Sequence, residues 1–126
     1  MLRVRIFRIL AIVVAAGIVV LSLIPKPPDI PVGISFADKI AHFLAYLVLG
    51  FLVFVSLSGG KRVGSALIVV LIVAGLCILF GGVIEILQMF TRRRPEFLDL
   101  GADLIGAVFG ALAGVGLRRR LRRDRA

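Results

Sequence analysis

A long stretch without a charged side chain, residues 63–84, constrains the fold more than any other feature of this sequence. An α-helix needs about 20 apolar residues to cross the roughly 30 Å of hydrocarbon in a bilayer. The stretch is rich in Val, Ile and Leu, which form strands in water, but an isolated open strand in lipid would leave its backbone groups unpaired. The pattern therefore predicts a transmembrane helix.

Three further apolar runs have a similar length. The predicted helices cover residues 6–24, 36–57, 63–90 and 97–117. The chain of 126 residues is 60% hydrophobic, whereas a soluble domain usually contains about 45–50% apolar residues. We therefore expect an all-α fold, in which residues 1–126 form a single domain of four transmembrane helices and residues 118–126 are a basic cytoplasmic tail.

Positive charge is concentrated at the two ends of the chain and in the turn at residues 59–62. Four spans place these three segments on one side of the membrane, where they carry eleven of the 16 Lys and Arg residues. The positive-inside rule predicts that this side is cytoplasmic, so both termini are expected inside. Six of the seven acidic residues fall on the other side, and only Asp124 lies inside.

The net charge of +9 does not indicate nucleic-acid binding, because the sequence contains no nucleic-acid-binding module. The same charges would attract the anionic headgroups of membrane lipids.

Polar side chains interrupt three of the predicted helices near their outer ends. Asp38, His42 and Tyr46 recur every four residues and so share one face of the second helix. The other polar residues are Lys39 beside that face, Glu85 and Gln88 on the third helix, Arg93 in the following turn, and Asp99 and Asp103 on the fourth helix. Because ionisable groups are costly to expose to lipid, we expect these side chains to form one site inside the bundle.

Glycines follow the two aspartates on the fourth helix. Gly106 and Gly110 form a Gly-x-x-x-Gly row, which Gly114 continues. Such a row lets the backbones of two helices approach closely in a membrane. We expect these glycines to bring the third and fourth helices together as a hairpin.

The combined pattern resembles the VanZ-like membrane protein family over the second to fourth helices. The residues that carry the resemblance are Asp38-Lys39-x-x-His42-Phe43-x-x-Tyr46, Glu85-x-x-Gln88, Arg93 six residues before Asp99, and Asp99-x-x-x-Asp103-x-x-Gly106-x-x-x-Gly110. The resemblance implies a small multi-pass bundle in the bacterial cytoplasmic membrane. It also implies a link to the cell envelope, because the family's namesake contributes to resistance to the glycopeptide teicoplanin.

Three hypotheses for the function are open from the sequence. We favour a non-enzymatic protein whose site binds membrane lipids, a lipid-linked envelope precursor or another membrane protein. Its binding residues would be Asp38, Lys39, Tyr46, Gln88 and Arg93, of which Lys39 and Arg93 would hold a phosphate. The second hypothesis is a membrane enzyme in which His42 and Glu85 act as acid and base, with Asp99 and Asp103 as further catalytic candidates. The third is a proton-coupled carrier that uses Glu85 and Asp103.

Metal binding has weak support in the sequence. One nitrogen and several oxygens come from His42, Glu85, Asp99 and Asp103, which is a conceivable donor set. The sequence contains no His-x-x-x-His motif and no pair of cysteines, since Cys77 is alone in an apolar run. We therefore predict neither a metal ion nor another cofactor.

Overall fold

The computed structural model describes residues 2–25, 34–59, 64–91 and 95–123. Within these ranges the chain forms α1 (Leu2–Leu23), α2 (Ile34–Ser58), α3 (Ala66–Gln88) and α4 (Phe97–Arg123), and no strand. Each helix is long and apolar enough to cross a membrane. The predicted all-α bundle of four membrane helices is therefore confirmed.

The third helix is shorter than predicted at both ends. It begins at Ala66 because Ser65 caps it, with the Ser65 hydroxyl accepting a hydrogen bond from the Ile68 N–H at 3.3 Å. It ends at Gln88, after which the backbone N–H groups of residues 89–91 bond to carbonyls three residues earlier. These tighter bonds close the last turn and satisfy carbonyls that the helix leaves open.

The fourth helix is longer than predicted at its carboxyl end. It continues to Arg123, so the arginines from Arg118 onward that were predicted as a tail are helical up to that residue. Basic residues in a last turn interact favourably with the partial negative charge of a helix carboxyl terminus. The first helix also begins earlier than predicted, at Leu2.

The helices α2 and α4 run parallel to each other and share the largest interface of the bundle. Gly106 lies against the backbone of Phe43, and Gly110 lies one turn further along against the backbone of Leu47. A Cβ atom at either glycine would overlap these backbone atoms. The prediction that the α4 glycines face α3 was therefore wrong, because they allow close approach to α2 instead.

The remaining helices run antiparallel to that pair. The α1 helix contacts α2 and α3 but makes no contact with α4 within the described ranges. Its carboxyl end is joined to the carboxyl end of α3, because the Gln88 side-chain amide donates a hydrogen bond to the Ser22 carbonyl at 3.1 Å. The carboxyl ends of α1 and α3 and the amino ends of α2 and α4 thus lie together, at what we call the polar end.

Candidate functional site

Charged side chains from α2, α3 and α4 meet at the polar end. The Lys39 ammonium lies 2.5 Å from Glu96 Oε2 and 3.4 Å from Asp99 Oδ1. His42 connects α2 to α4 one turn deeper, with contacts to Asp99 and Asp103. We call this group the polar cluster, and its members are Asp38, Lys39, His42, Glu85, Glu96, Asp99 and Asp103.

His42 and Asp103 form the most deeply buried pair in the polar cluster. The distance from His42 Nδ1 to Asp103 Oδ1 is 2.9 Å, and Asp103 is 1% exposed. When Asp103 is ionised, its carboxylate only accepts hydrogen bonds, and the His42 Nδ1–H is then the donor. This leaves His42 Nε2 directed towards Asp99, whose Oδ2 lies 3.9 Å away, beyond hydrogen-bond distance.

Tyr46 lies one turn below His42 on the same face of α2. Its hydroxyl and Asp103 Oδ2 both border Gly81 of α3, where an added Cβ would lie 3.3 Å and 2.8 Å from these two atoms. Gly81 is therefore the residue that leaves room for the polar groups between the helices. The Tyr46 hydroxyl is buried beside the Asp103 carboxylate.

Glu85 binds the start of α4 rather than His42. Its Oε2 accepts a hydrogen bond at 2.9 Å from the backbone N–H of Glu96, the residue that precedes the helix. The first N–H groups of a helix have no partner within the helix, so this contact caps α4 from a neighbouring helix. The other oxygen of Glu85, Oε1, is buried and makes no hydrogen bond to any described residue.

Gln88, one of the predicted binding residues, makes its described contact outside the polar cluster. Gln88 is buried, and its amide is used to join α3 to α1 through the Ser22 carbonyl. Arg93, which was predicted to hold a phosphate, lies outside the described residues. The other predicted residues, Asp38, Lys39, His42, Tyr46, Glu85, Asp99 and Asp103, lie together at the polar end.

Glu96 contributes to the site, although the sequence predicted it only as an acid on the outer side. The residue lies before the predicted fourth helix and therefore has no helical periodicity to relate it to the other polar residues. In the structure its carboxylate binds Lys39 and its backbone binds Glu85, so it connects α2 and α3 to the start of α4. The sequence feature that could have indicated this role is the position of Glu96, a charged residue next to Pro95 at the start of a helix.

A cavity of about 120 Å³ opens beside the polar cluster, between α1 and α2. One part of its wall is apolar and includes Ile18 and Leu21, and another part is polar and includes Asp38, His42 and Tyr46. Ligand sites usually combine an apolar wall with a few polar groups that fix orientation. The cavity therefore has the lining expected for part of an amphiphilic molecule.

Carboxylates outnumber cationic groups in the polar cluster. It contains five acidic side chains, one lysine and one histidine, and Lys39 already lies beside Glu96 and Asp99. Opposite charges attract strongly where the effective dielectric constant is low. This balance favours ligands that bring positive charge or hydrogen-bond donors.

A family model described as VanZ/LLP1 matches residues 4–118, which is nearly the whole chain and includes α1 as well as the motif-bearing helices. No curated protein and no solved structure matches it. The family resemblance inferred from the spacing of the polar residues is confirmed, and the chain belongs to the VanZ/LLP1 family.

Proposed function

We propose that the protein binds the polar headgroup of a membrane lipid or glycolipid of the bacterial cell envelope. The observation that carries this proposal is the cavity between α1 and α2, whose wall is apolar at Ile18 and Leu21 and polar at Asp38 and His42. A lipid presents both kinds of surface at the boundary between hydrocarbon and headgroups. The cavity is small, so it would hold one group of the lipid rather than the whole molecule.

The charges of the polar cluster favour a headgroup that carries hydroxyl or amino groups. Carboxylates accept hydrogen bonds from both groups, and charge-assisted hydrogen bonds are about twice as strong as neutral ones. The phosphate site expected at Lys39 receives less support, because Glu96 and Asp99 already surround its ammonium group. A sugar or amine headgroup, as in a lipid-linked envelope precursor, is the ligand class that this balance favours.

The proposal places the polar cluster at the outer face of the cytoplasmic membrane. Arginines at the start of α1 and at the end of α4 lie at the opposite end of the bundle from the cluster. The positive-inside rule would put those arginines in the cytoplasm. At the outer face the site would meet exported envelope lipids, and a role in glycopeptide resistance of the teicoplanin type would fit such a position.

The orientation is tested by reporter fusions at two points. After Arg62, only a reporter that is active in the cytoplasm is expected to give a signal. After Pro95, only a reporter that is active outside the membrane is expected to give one. Each fusion is made with both a cytoplasmic and an exterior reporter, so that low expression is not read as a location. The opposite pattern would contradict an outer site.

Headgroup binding is tested by identifying the lipids that remain bound during purification. We expect mass spectrometry of the protein in mild detergent to show one lipid class with amino or sugar hydroxyl groups, enriched over its share of the membrane. Asp38→Asn is expected to lower that enrichment about tenfold, since a hydrogen bond to a charged group contributes about 1.5–3 kcal/mol. Asp124→Asn is the matched control, because it makes the same change in the residue after α4.

Two results would contradict headgroup binding. One is a bound lipid composition equal to that of the membrane, and the other is an enriched lipid that Asp38→Asn retains as well as Asp124→Asn.

The His42–Asp103 pair supports a second candidate, an enzyme in which Asp103 orients His42 as a general base. Chemical conversion of the enriched lipid by the wild type, absent in His42→Gln, would favour that enzyme.

A further inference from the structure

We infer that Asp38, His42 and Asp99 form a binding site for a divalent transition-metal ion of the Zn²⁺ type. Each of the three side chains offers one ligand atom, and these atoms all lie within 4.8 Å of one another. The sequence predicted no metal, and the donor set considered there did not include Asp38. Two of the ligands come from α2 and one from α4, so the fold brings together what the spacing along the chain does not show.

The orientation of His42 is the one that a metal ligand requires. Its Nδ1 contacts Asp103 at 2.9 Å, which holds the ring in place and leaves Nε2 as the nitrogen that faces Asp99. A histidine that binds a metal usually donates its other ring N–H to a carboxylate or carbonyl in this way. Asp103 is therefore a positioning residue for this site rather than a ligand.

The distance between His42 Nε2 and Asp99 Oδ2 also fits a shared ion. At 3.9 Å the two atoms are too far apart for a hydrogen bond. Two atoms that each lie about 2.0–2.2 Å from one zinc ion are at most about 4.4 Å apart, so both reach an ion placed between them. Lys39 approaches the other oxygen of Asp99, Oδ1, so Asp99 Oδ2 remains directed towards His42.

Tyr46 lines the same cavity as Asp38 and His42 and is 1% exposed. Its buried hydroxyl interacts with Asp103, the carboxylate that also contacts His42 Nδ1. Tyr46 therefore supports the residue that positions His42 and is not itself a ligand.

The donor set and the local charge indicate the class of ion. One imidazole and two carboxylates suit borderline metals such as Zn²⁺, whereas sites for Mg²⁺ or Ca²⁺ are built from oxygen ligands. Three protein ligands would leave one tetrahedral position open, as in zinc sites that bind water or substrate. A doubly charged ion would also offset the excess of carboxylates in the polar cluster.

The test measures metal binding directly and needs no lipid. The full chain, freed of any histidine tag, is stripped with a chelator in detergent, equilibrated with Zn²⁺, and separated from excess metal before elemental analysis. We expect one Zn²⁺ per chain, and a visible Co²⁺ spectrum of tetrahedral type when Co²⁺ replaces it. Asp38→Asn and His42→Gln should weaken binding by more than the roughly 10–100-fold that loss of an outer-shell partner costs, and Asp103→Ala by about that amount.

Two control variants separate this site from other metal binding. Cys77→Ser and Asp124→Asn are expected to bind Zn²⁺ as the wild type does. Zn²⁺ held equally by Asp38→Asn and Asp124→Asn, or a Co²⁺ spectrum unchanged by His42→Gln, would overturn the inference. Loss of Zn²⁺ in Glu85→Gln with retention in Asp38→Asn would overturn it too, because it would identify a different donor set.

Effects on folding and on lipid binding can be distinguished from a loss of Zn²⁺ binding. Asp38 is only partly buried, so Asp38→Asn is the ligand variant least expected to disturb the fold, and size-exclusion chromatography checks each variant. Failure of the lipid experiment leaves the Zn²⁺ measurement unaffected, because that measurement is made without added lipid. The absence of any bound Zn²⁺ in a monodisperse wild-type sample would overturn the metal site alone.

Discussion

The two halves of the α2–α4 interface hold the same pair of helices together in different ways. At the polar end, Lys39 and His42 of α2 bind carboxylates of α4. Further along, the contact is made by glycines, where Gly110 brings the two backbones together and Gly114 lies against the ring of Phe54. One half relies on charge and hydrogen bonds, and the other on close packing of the backbones.

The comparison indicates that the glycine half sets the spacing that the polar half needs. Aspartate has a short side chain, so Asp103 reaches His42 only if the two helices lie close together. Gly106 is one turn below Asp103 and touches the backbone of Phe43, the residue after His42. Close packing begins, therefore, directly beside the His42–Asp103 hydrogen bond and fixes its geometry.

The largest expected effect comes from breaking the polar half at His42. His42→Ala would leave the Asp103 carboxylate buried without its partner, and removing one member of a buried pair costs about 3–5 kcal/mol. We expect a loss of that size in the free energy of unfolding in detergent, measured with chelator present so that metal loss is not included. The double variant His42→Ala with Asp103→Ala should lose less than the two single variants together.

The double-mutant cycle measures how strongly His42 and Asp103 stabilise each other in the polar half. Residues that do not interact give effects that add within about 0.3–0.5 kcal/mol. Additive losses for His42→Ala and Asp103→Ala would mean that the pair contributes no coupling to the fold. The polar half would then hold the site without adding to the stability that the glycine half provides.

Helical periodicity allowed much of this arrangement to be predicted. The spacing of Asp38, His42 and Tyr46 placed them on one face of α2, and the structure puts all three beside the same cavity. The same reasoning grouped Glu85 with Gln88, which the structure separates between the start of α4 and the end of α1. Two residues on one side of a helix can face different neighbours, and spacing within one helix does not identify the neighbour.

The partner of the α4 glycines could not be predicted for a related reason. Adjacent helices in a sequence are expected to pack as a hairpin, so α3 was the expected partner. The structure instead pairs α4 with α2, which runs parallel to it and is separated from it along the chain by α3. A Gly-x-x-x-Gly row indicates close approach, but it does not tell which helix approaches.

A smaller effect is expected from the glycine half, where two positions on α4 can be compared directly. At Gly110 an added Cβ would overlap the Leu47 carbonyl and lie 2.7 Å from the Phe51 nitrogen, whereas at Gly116 it would meet nothing within 4 Å. Gly110→Ala should therefore cost about 1–3 kcal/mol in the free energy of unfolding, the usual cost of overpacking. Gly116→Ala should be neutral or stabilising by up to about 1 kcal/mol, because glycine disfavours a helix by that amount. If the glycines set the spacing of the polar half, Gly110→Ala also lowers the coupling between His42 and Asp103, and equal stability of the two glycine variants would contradict that role.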